Sequence, residues 1–189
     1  MAFVILIIVI IVGLGIGVWF WQMSPGSSNL RVNMEKDQFP DVSGFNLDRE
    51  EFRFPQDFEG ELNLLIVAFQ QHHQSSVNTW IPKVQSFEAD FPGFIYYELP
   101  TIKEMSMMSR AFINEGMRAG IPDQTARERT ITLYINKNEF NKALNIPNEE
   151  DIYLFLVEKN GRIIWREKGS FEEKNASVLE EILRNKGTK

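Results

Sequence analysis

The two histidines of the chain are adjacent. They stand in the run Gln70-Gln71-His72-His73-Gln74-Ser75-Ser76-Val77-Asn78-Thr79-Trp80. Imidazole beside hydroxyl raises three chemistries: metal ligation, a His-activated Ser75 nucleophile, and hydrogen-bonded recognition of a partner. Metal ligation is disfavoured, because consecutive side chains diverge and metal sites recruit ligands from several elements. A nucleophilic Ser75 lacks the glycine-rich elbow and oxyanion loop that such a hydroxyl needs. An exposed loop pair without chemistry is the simplest account of His72 and His73, and recognition is the functional reading beside it. Gln70, His72, His73 and Trp80 offer amide, imidazole and indole groups suited to a peptide backbone, although Trp80 favours packing against a sheet over ligand stacking. The chain has no cysteine, which excludes thiolate attack, disulfide exchange and Cys-ligated metals together. No catalytic residue, metal or cofactor is expected.

Two further groups invite a functional reading. Arg110, Arg118, Arg127 and Arg129 are a local concentration of positive charge in a chain of net charge −6. Surface pairing with Glu115, Asp123 and Glu128 accounts for them, each pair worth little. The alternative is an anchor patch at Arg127 and Arg129 for an acidic partner segment or phospholipid headgroups. Met105, Met107 and Met108 look like a soft Cu(I) cluster. Yet Met105 and Met108 at i,i+3, with Phe112, fit a core-facing helical stripe better. The acidic balance argues against any nucleic-acid surface.

The elements that would position these groups begin with an anchor. Ala2 to Trp21 is an unbroken apolar run of 20 residues, about 30 Å of helix, which matches a bilayer core. It is longer than a signal-peptide core, no Lys or Arg precedes it, and no small-x-small cleavage site follows. Trp19 and Trp21 stand where an interfacial aromatic belt belongs. We read residues 2–22 as a retained transmembrane helix in contact with lipid. Residues 23–41, opening Met23-Ser24-Pro25-Gly26, read as a flexible tether, and 42–189 as the folded domain. Arg31 and Lys36 follow the anchor and favour the domain on the cytoplasmic or matrix-equivalent side.

From Gly44 onward the pattern is α/β. Phe45, Leu47, Phe52 and Phe54 mark short extended pieces before Pro55. Leu62 to Phe69 is a continuous apolar run, as a strand covered on both faces needs. Ser75 or Ser76 can cap a helix reaching about Ala89, and Phe94 to Leu99 is a second strand ended by Pro100. Ile102 to Arg118 reads as a helix stopped by Gly120 and Pro122. Ile131 to Ile135 is a strand and Phe140 to Leu144 a short helix. Ile152 to Val157 and Ile163 to Trp165 pair across Asn160-Gly161, a type I′ hairpin signal. Phe171 to Leu183 closes the chain as a helix, with Val178, Ile182 and Leu179 or Leu183 inward. Parallel crossovers followed by a hairpin and helix predict a mixed sheet with helices on both faces.

This order resembles the thioredoxin-like superfamily, in its peroxiredoxin and Sco-type layout. The expected fold is an α/β three-layer sandwich with a mixed sheet, preceded by one transmembrane helix. Within that group the chain resembles the Atp10 family of mitochondrial ATP synthase assembly factors. The resembling stretches are Phe52-Arg53-Phe54-Pro55, Leu62 to Phe69 with Asn78-Thr79-Trp80, and Arg129-Thr130-Ile131-Thr132. A further one runs from Ile152-Tyr153-Leu154-Phe155-Leu156 through Asn160-Gly161-Arg162-Ile163-Ile164-Trp165 to Gly169. In redox members a cysteine pair opens the helix after the first core strand. Counted back from Pro82, those thiols would fall near Gln74 and Val77, and neither can carry electrons. The resemblance therefore implies a non-redox protein that binds or chaperones a membrane-protein partner, an F0 subunit of ATP synthase. A degenerate peroxiredoxin-like enzyme, acting without thiols through His72 or His73, is the alternative.

Overall fold

The computed structural model describes residues 37–186. The anchor expected over residues 2–22 and the tether as far as residue 36 lie outside the described residues. Among the described residues, no helix is long and apolar enough to cross a membrane.

Seven strands form one mixed sheet: β1 (Val42–Asn46), β2 (Glu51–Phe54), β3 (Leu62–Ala68), β4 (Phe94–Lys103), β5 (Ile131–Ile135), β6 (Tyr153–Glu158) and β7 (Ile163–Lys168). Their order is β2-β1-β5-β4-β3-β6-β7. Strand β3 lies in the middle of its half, parallel to β4 and antiparallel to β6. Its side chains divide between the faces. Leu62, Leu64 and Ile66 join one core cluster, and Leu65 and Val67 the other. That double burial is why the run shows no alternation.

Helices α1 (Gln74–Asp90) and α5 (Glu173–Lys186) cover the first face with Val77, Trp80, Val84, Phe87, Ala176, Leu179 and Leu183. Between β4 and β5 come α2 (Met107–Gly120) and α3 (Gln124–Arg129). The short helix α4 (Lys137–Ala143) closes the second face through Phe140. There it meets Phe39, which also contacts Phe58 and Phe155 edge-on or tilted. Phe54 and Phe58 stack at 4.7 Å, with Tyr97 beside them, and burial pushes the Tyr97 hydroxyl up to about 12. Both faces are covered, so the three-layer architecture holds.

Several local expectations change. Phe39 is 1% exposed and donates its N–H to the Gly161 carbonyl, so the domain takes in the last residues assigned to the tether. Strand β4 does not end at Pro100. Pairing with β3 finishes at Ala68↔Pro100, and Thr101 to Lys103 then pair with β5. The proline sits where the ladder changes partner, a place that tolerates its missing N–H. Helix α2 therefore starts at Met107 behind a Ser106 cap, not at Ile102. The expected core stripe is not core: Met108 and Phe112 are 85% and 82% exposed and Met107 81%, while Met105 lies half-buried before the helix.

The β6–β7 hairpin forms where Asn160-Gly161 placed it, with another turn. Among those two residues only Gly161 has positive φ, at +84°, and its N–H returns to the Glu158 carbonyl. That is a three-residue loop with a glycine bulge rather than a type I′ turn. In α5, Leu179 and Leu183 face inward with Ala176, while Val178 is 44% exposed.

Candidate functional site

Strand β3 delivers the chain to the rim of the sheet where β3 ends and β4 exchanges it for β5. Gln70 is extended, Gln71–His73 make one 3-10 turn, and α1 begins at Gln74. No side chain caps α1. The Ser75 hydroxyl donates to the His72 carbonyl instead, which removes it further from any nucleophilic role.

The two histidines part company. His72 is exposed, whereas His73 is 2% exposed and its Nδ1 accepts the Phe69 N–H at 3.3 Å. The acceptor role at Nδ1 places the proton of neutral His73 on Nε2. That atom is buried with no hydrogen-bond partner among the described residues, and the nearby Glu150 backbone only partly offsets the effect of burial. The rings meet edge to face at 4.7 Å. Gln70 donates its side-chain amide to the Glu149 carbonyl at 2.8 Å, which ties the β3 exit to the loop before β6.

Trp80 is fully buried, its indole N–H donating to the Gly169 carbonyl at 3.0 Å and its ring set edge-on against Phe171. The Phe171 N–H reaches the Thr79 hydroxyl, and the Ser170 and Ser76 hydroxyls meet. Trp80 thus locks the segment after β7 onto the first turns of α1. Of the four proposed groups in this run, Gln70 and His72 lie at the surface, and His73 and Trp80 shape the scaffold beneath them.

The arginines are occupied. Arg129 is held by Glu59 at 2.8 Å and Glu88 at 3.0 Å, with its guanidinium 5.7 Å from the Tyr97 ring. Burial lowers its pKa, and the two carboxylates more than offset this. Arg127 donates to the Pro122 carbonyl. Arg118 pairs with Asp48 and Arg110 with Glu104, Arg110 also lying over the Tyr134 ring. The partners differ from those expected: Glu115 holds Arg49, and Asp123 caps α3.

A carboxyl group passed over in the sequence completes the rim. Glu98, on β4, is 8% exposed and accepts from the Gln74 amide at 3.3 Å, which also donates to Asn78. Burial pushes Glu98 above the usual carboxylate range, and the Gln74 hydrogen bond opposes the shift. Its signal was a lone acid within Phe-Ile-Tyr-Tyr-Glu-Leu. Gln74, counted as the first thiol position, is therefore in hydrogen-bonding contact with a buried acid. Among the described residues, no three acidic or histidine side chains gather to hold a metal.

The rim titrates in two opposite senses. Burial, aided by His72, holds His73 below its ordinary 6.5, so the folded state binds fewer protons there than the unfolded chain. Its contribution is complete above that value and lost as pH falls below it. Glu98 is raised above 4.5, so its contribution is complete below that value and lost as pH rises through the folded pKa. Urea midpoints should fall between pH 7.5 and 5.5 less steeply in His73→Asn than in wild type. Glu98→Gln should gain on wild type as pH rises from 4.5 to 8.

With this geometry in place, comparison with protein families is decisive: residues 35–185 match the model of the ATP10 protein family. The chain belongs to the ATP10 protein family. A comparison of this ATP10 family member with curated proteins gives no match. Among solved structures it is similar to copper-bound yeast Sco1, at 11% identity and a TM-score of 0.55, covering 78% of this chain and 93% of that one. A thiol:disulfide interchange protein from Bacteroides sp. gives 13% identity and a TM-score of 0.53, covering 80% and 91%. The exposed lipoprotein thioredoxin of Streptococcus pneumoniae gives 11% and 0.52, covering 77% and 99%. At such identities these likenesses show the thioredoxin-like fold alone. The ATP10 chain has that fold and no thiol.

Proposed function

We propose that this ATP10 family member is a membrane-anchored, non-redox thioredoxin-like protein that binds a membrane subunit of ATP synthase, of its F0 part, during assembly. The observation that carries the reading is the family match over 35–185 on a domain whose thiol positions hold Gln74 and Val77. A binding role needs a surface and no reacting atom. The open rim at the ends of β3 and β4 is where ligands meet sheets of this class, and Gln70 and His72 are its exposed polar groups. The anchor over residues 2–22 keeps the domain beside its client, and Arg31 and Lys36 favour the cytoplasmic or matrix-equivalent face.

Membranes from cells lacking the chain test the reading on native gels. Assembled ATP synthase should drop, with F0 intermediates accumulating, and the full chain should restore it. Unchanged assembly would refute the proposal. Restoration by wild type but not by His72→Ala/Gln70→Ala would place recognition at the rim. Peroxide consumption and insulin reduction should stay at buffer level, since no residue can perform thiolate attack.

A further inference from the structure

Helix α2 turns three of its largest apolar side chains away from the domain. The side it turns to the domain is half-buried and mixed, Arg110 and Asn114 with Ile113 and Met117; the Tyr134 hydroxyl donates to Asn114 and the Arg110 carbonyl, Arg118 reaches Asp48, and Glu115 reaches Arg49 from the outer side. No residue of α2 is buried. Met107, Met108 and Phe112 point away, each more than four-fifths exposed. A helix with no buried residue and three large apolar side chains facing outward has the arrangement of an interfacial helix rather than a core helix.

We propose that this stripe docks into the interfacial zone of a lipid bilayer, an inference that rests on the membrane-anchored reading above. Chain length supports that occupant. Residues 22–36, the 15 between the apolar run and the described domain, span at most about 50 Å even when fully extended. An anchored domain therefore stays within about 50 Å of its own membrane, and a weak contact becomes effective through the high local concentration that tethering creates. Three side chains on a helix of about 21 Å are too few for a stable free protein interface, which buries upwards of about 1,000 Å². Unbranched methionines also adapt to an irregular lipid surface. The charges of the helix and its approach, Lys103, Arg110 and Arg118 against Glu104 and Glu115, leave one excess positive charge, and Arg118 is paired with Asp48, so insertion should depend little on anionic lipid.

The absence of cysteine makes the test clean, because a single introduced thiol is unique. The full chain carrying Met108→Cys, or Ser177→Cys on exposed α5 as control, is labelled with an environment-sensitive dye. It is then reconstituted into phosphatidylcholine vesicles with and without brominated lipid. Expected are a blue shift and bromine quenching at position 108, none at 177, and loss of the quenching when Met107→Ser and Phe112→Ser are added. Adding phosphatidylglycerol should change neither signal. A chain that floats with vesicles but shows no quenching at 108 overturns the docking while the anchor reading stands. A chain that does not float overturns both. Signal at 108 that changes only when solubilised ATP synthase subunits are added assigns the stripe to protein and overturns the lipid proposal.

Discussion

Trp80→Ala should destabilise the domain by about 3–5 kcal/mol, the usual cost of emptying a buried tryptophan site. The side chain is fully enclosed, and its indole N–H donates to the Gly169 carbonyl. Truncation therefore opens a cavity between α1, α5 and the sheet and leaves that carbonyl without its donor. In a domain of this size the melting temperature should fall by roughly 10 °C or more. Trp80→Phe keeps much of the volume and loses only the hydrogen bond, so its cost should be smaller, about 1–2 kcal/mol. His72→Ala, on an exposed side chain, should stay within about 0.5 kcal/mol. Calorimetry on the three variants checks the order. A Trp80→Ala protein that melts with wild type would mean the indole is not in the core.

The second large effect belongs to Arg129. Its guanidinium bridges Glu59 and Glu88 and is 18% exposed. Arg129→Met should cost about 1–3 kcal/mol, since two carboxylates lose their shared partner at a partly solvated site. Arg129→Glu brings a third carboxylate against those two and should cost more, about 3 kcal/mol or above. Lower pH should shrink the Arg129→Glu deficit as the carboxylates protonate, and salt should shrink it by screening. Urea unfolding at pH 7 and pH 4.5 reads both. Arg127→Glu, whose side-chain contact is the Pro122 carbonyl, should cost about 1 kcal/mol or less. An equal effect at 127 and 129 would contradict the bridging role. For partner capture, Arg129 variants accordingly report on folding before they report on binding.

The sequence announces the sheet well where burial is two-sided. The run from Leu62 to Phe69 and the pair flanking Asn160-Gly161 carry their own pattern, and the strands sit where those patterns fall. It misleads where one residue type serves two purposes. Pro100 reads as a strand end, yet it occupies the point at which β4 exchanges β3 for β5, information held only in tertiary pairing. Met105, Met108 and Phe112 have core spacing, but periodicity reports that a helix is amphipathic and not which side meets the protein. Here the inner side is the mixed one, Ile113 and Met117 with Arg110 and Asn114. The rim is half legible. The run Gln70 to Trp80 is correctly placed after a buried strand. The burial of His73 beside an exposed His72 is set within the 3-10 turn that carries both, and adjacency in sequence gives no sign of it. Glu98 was visible as a lone acid in an apolar strand, but its contact with Gln74 depends on the parallel register of β3 and β4.

Recovery of partners from membranes tests the central claim most directly. The full chain, tagged at its C-terminus, is captured from membranes solubilised in mild detergent, and co-purifying proteins are quantified by mass spectrometry against a tag-only control. Expected are ATP synthase F0 subunits near stoichiometry with the bait, undiminished by peroxide or thiol reagents. Recovery of those subunits no higher than in the control would contradict that claim.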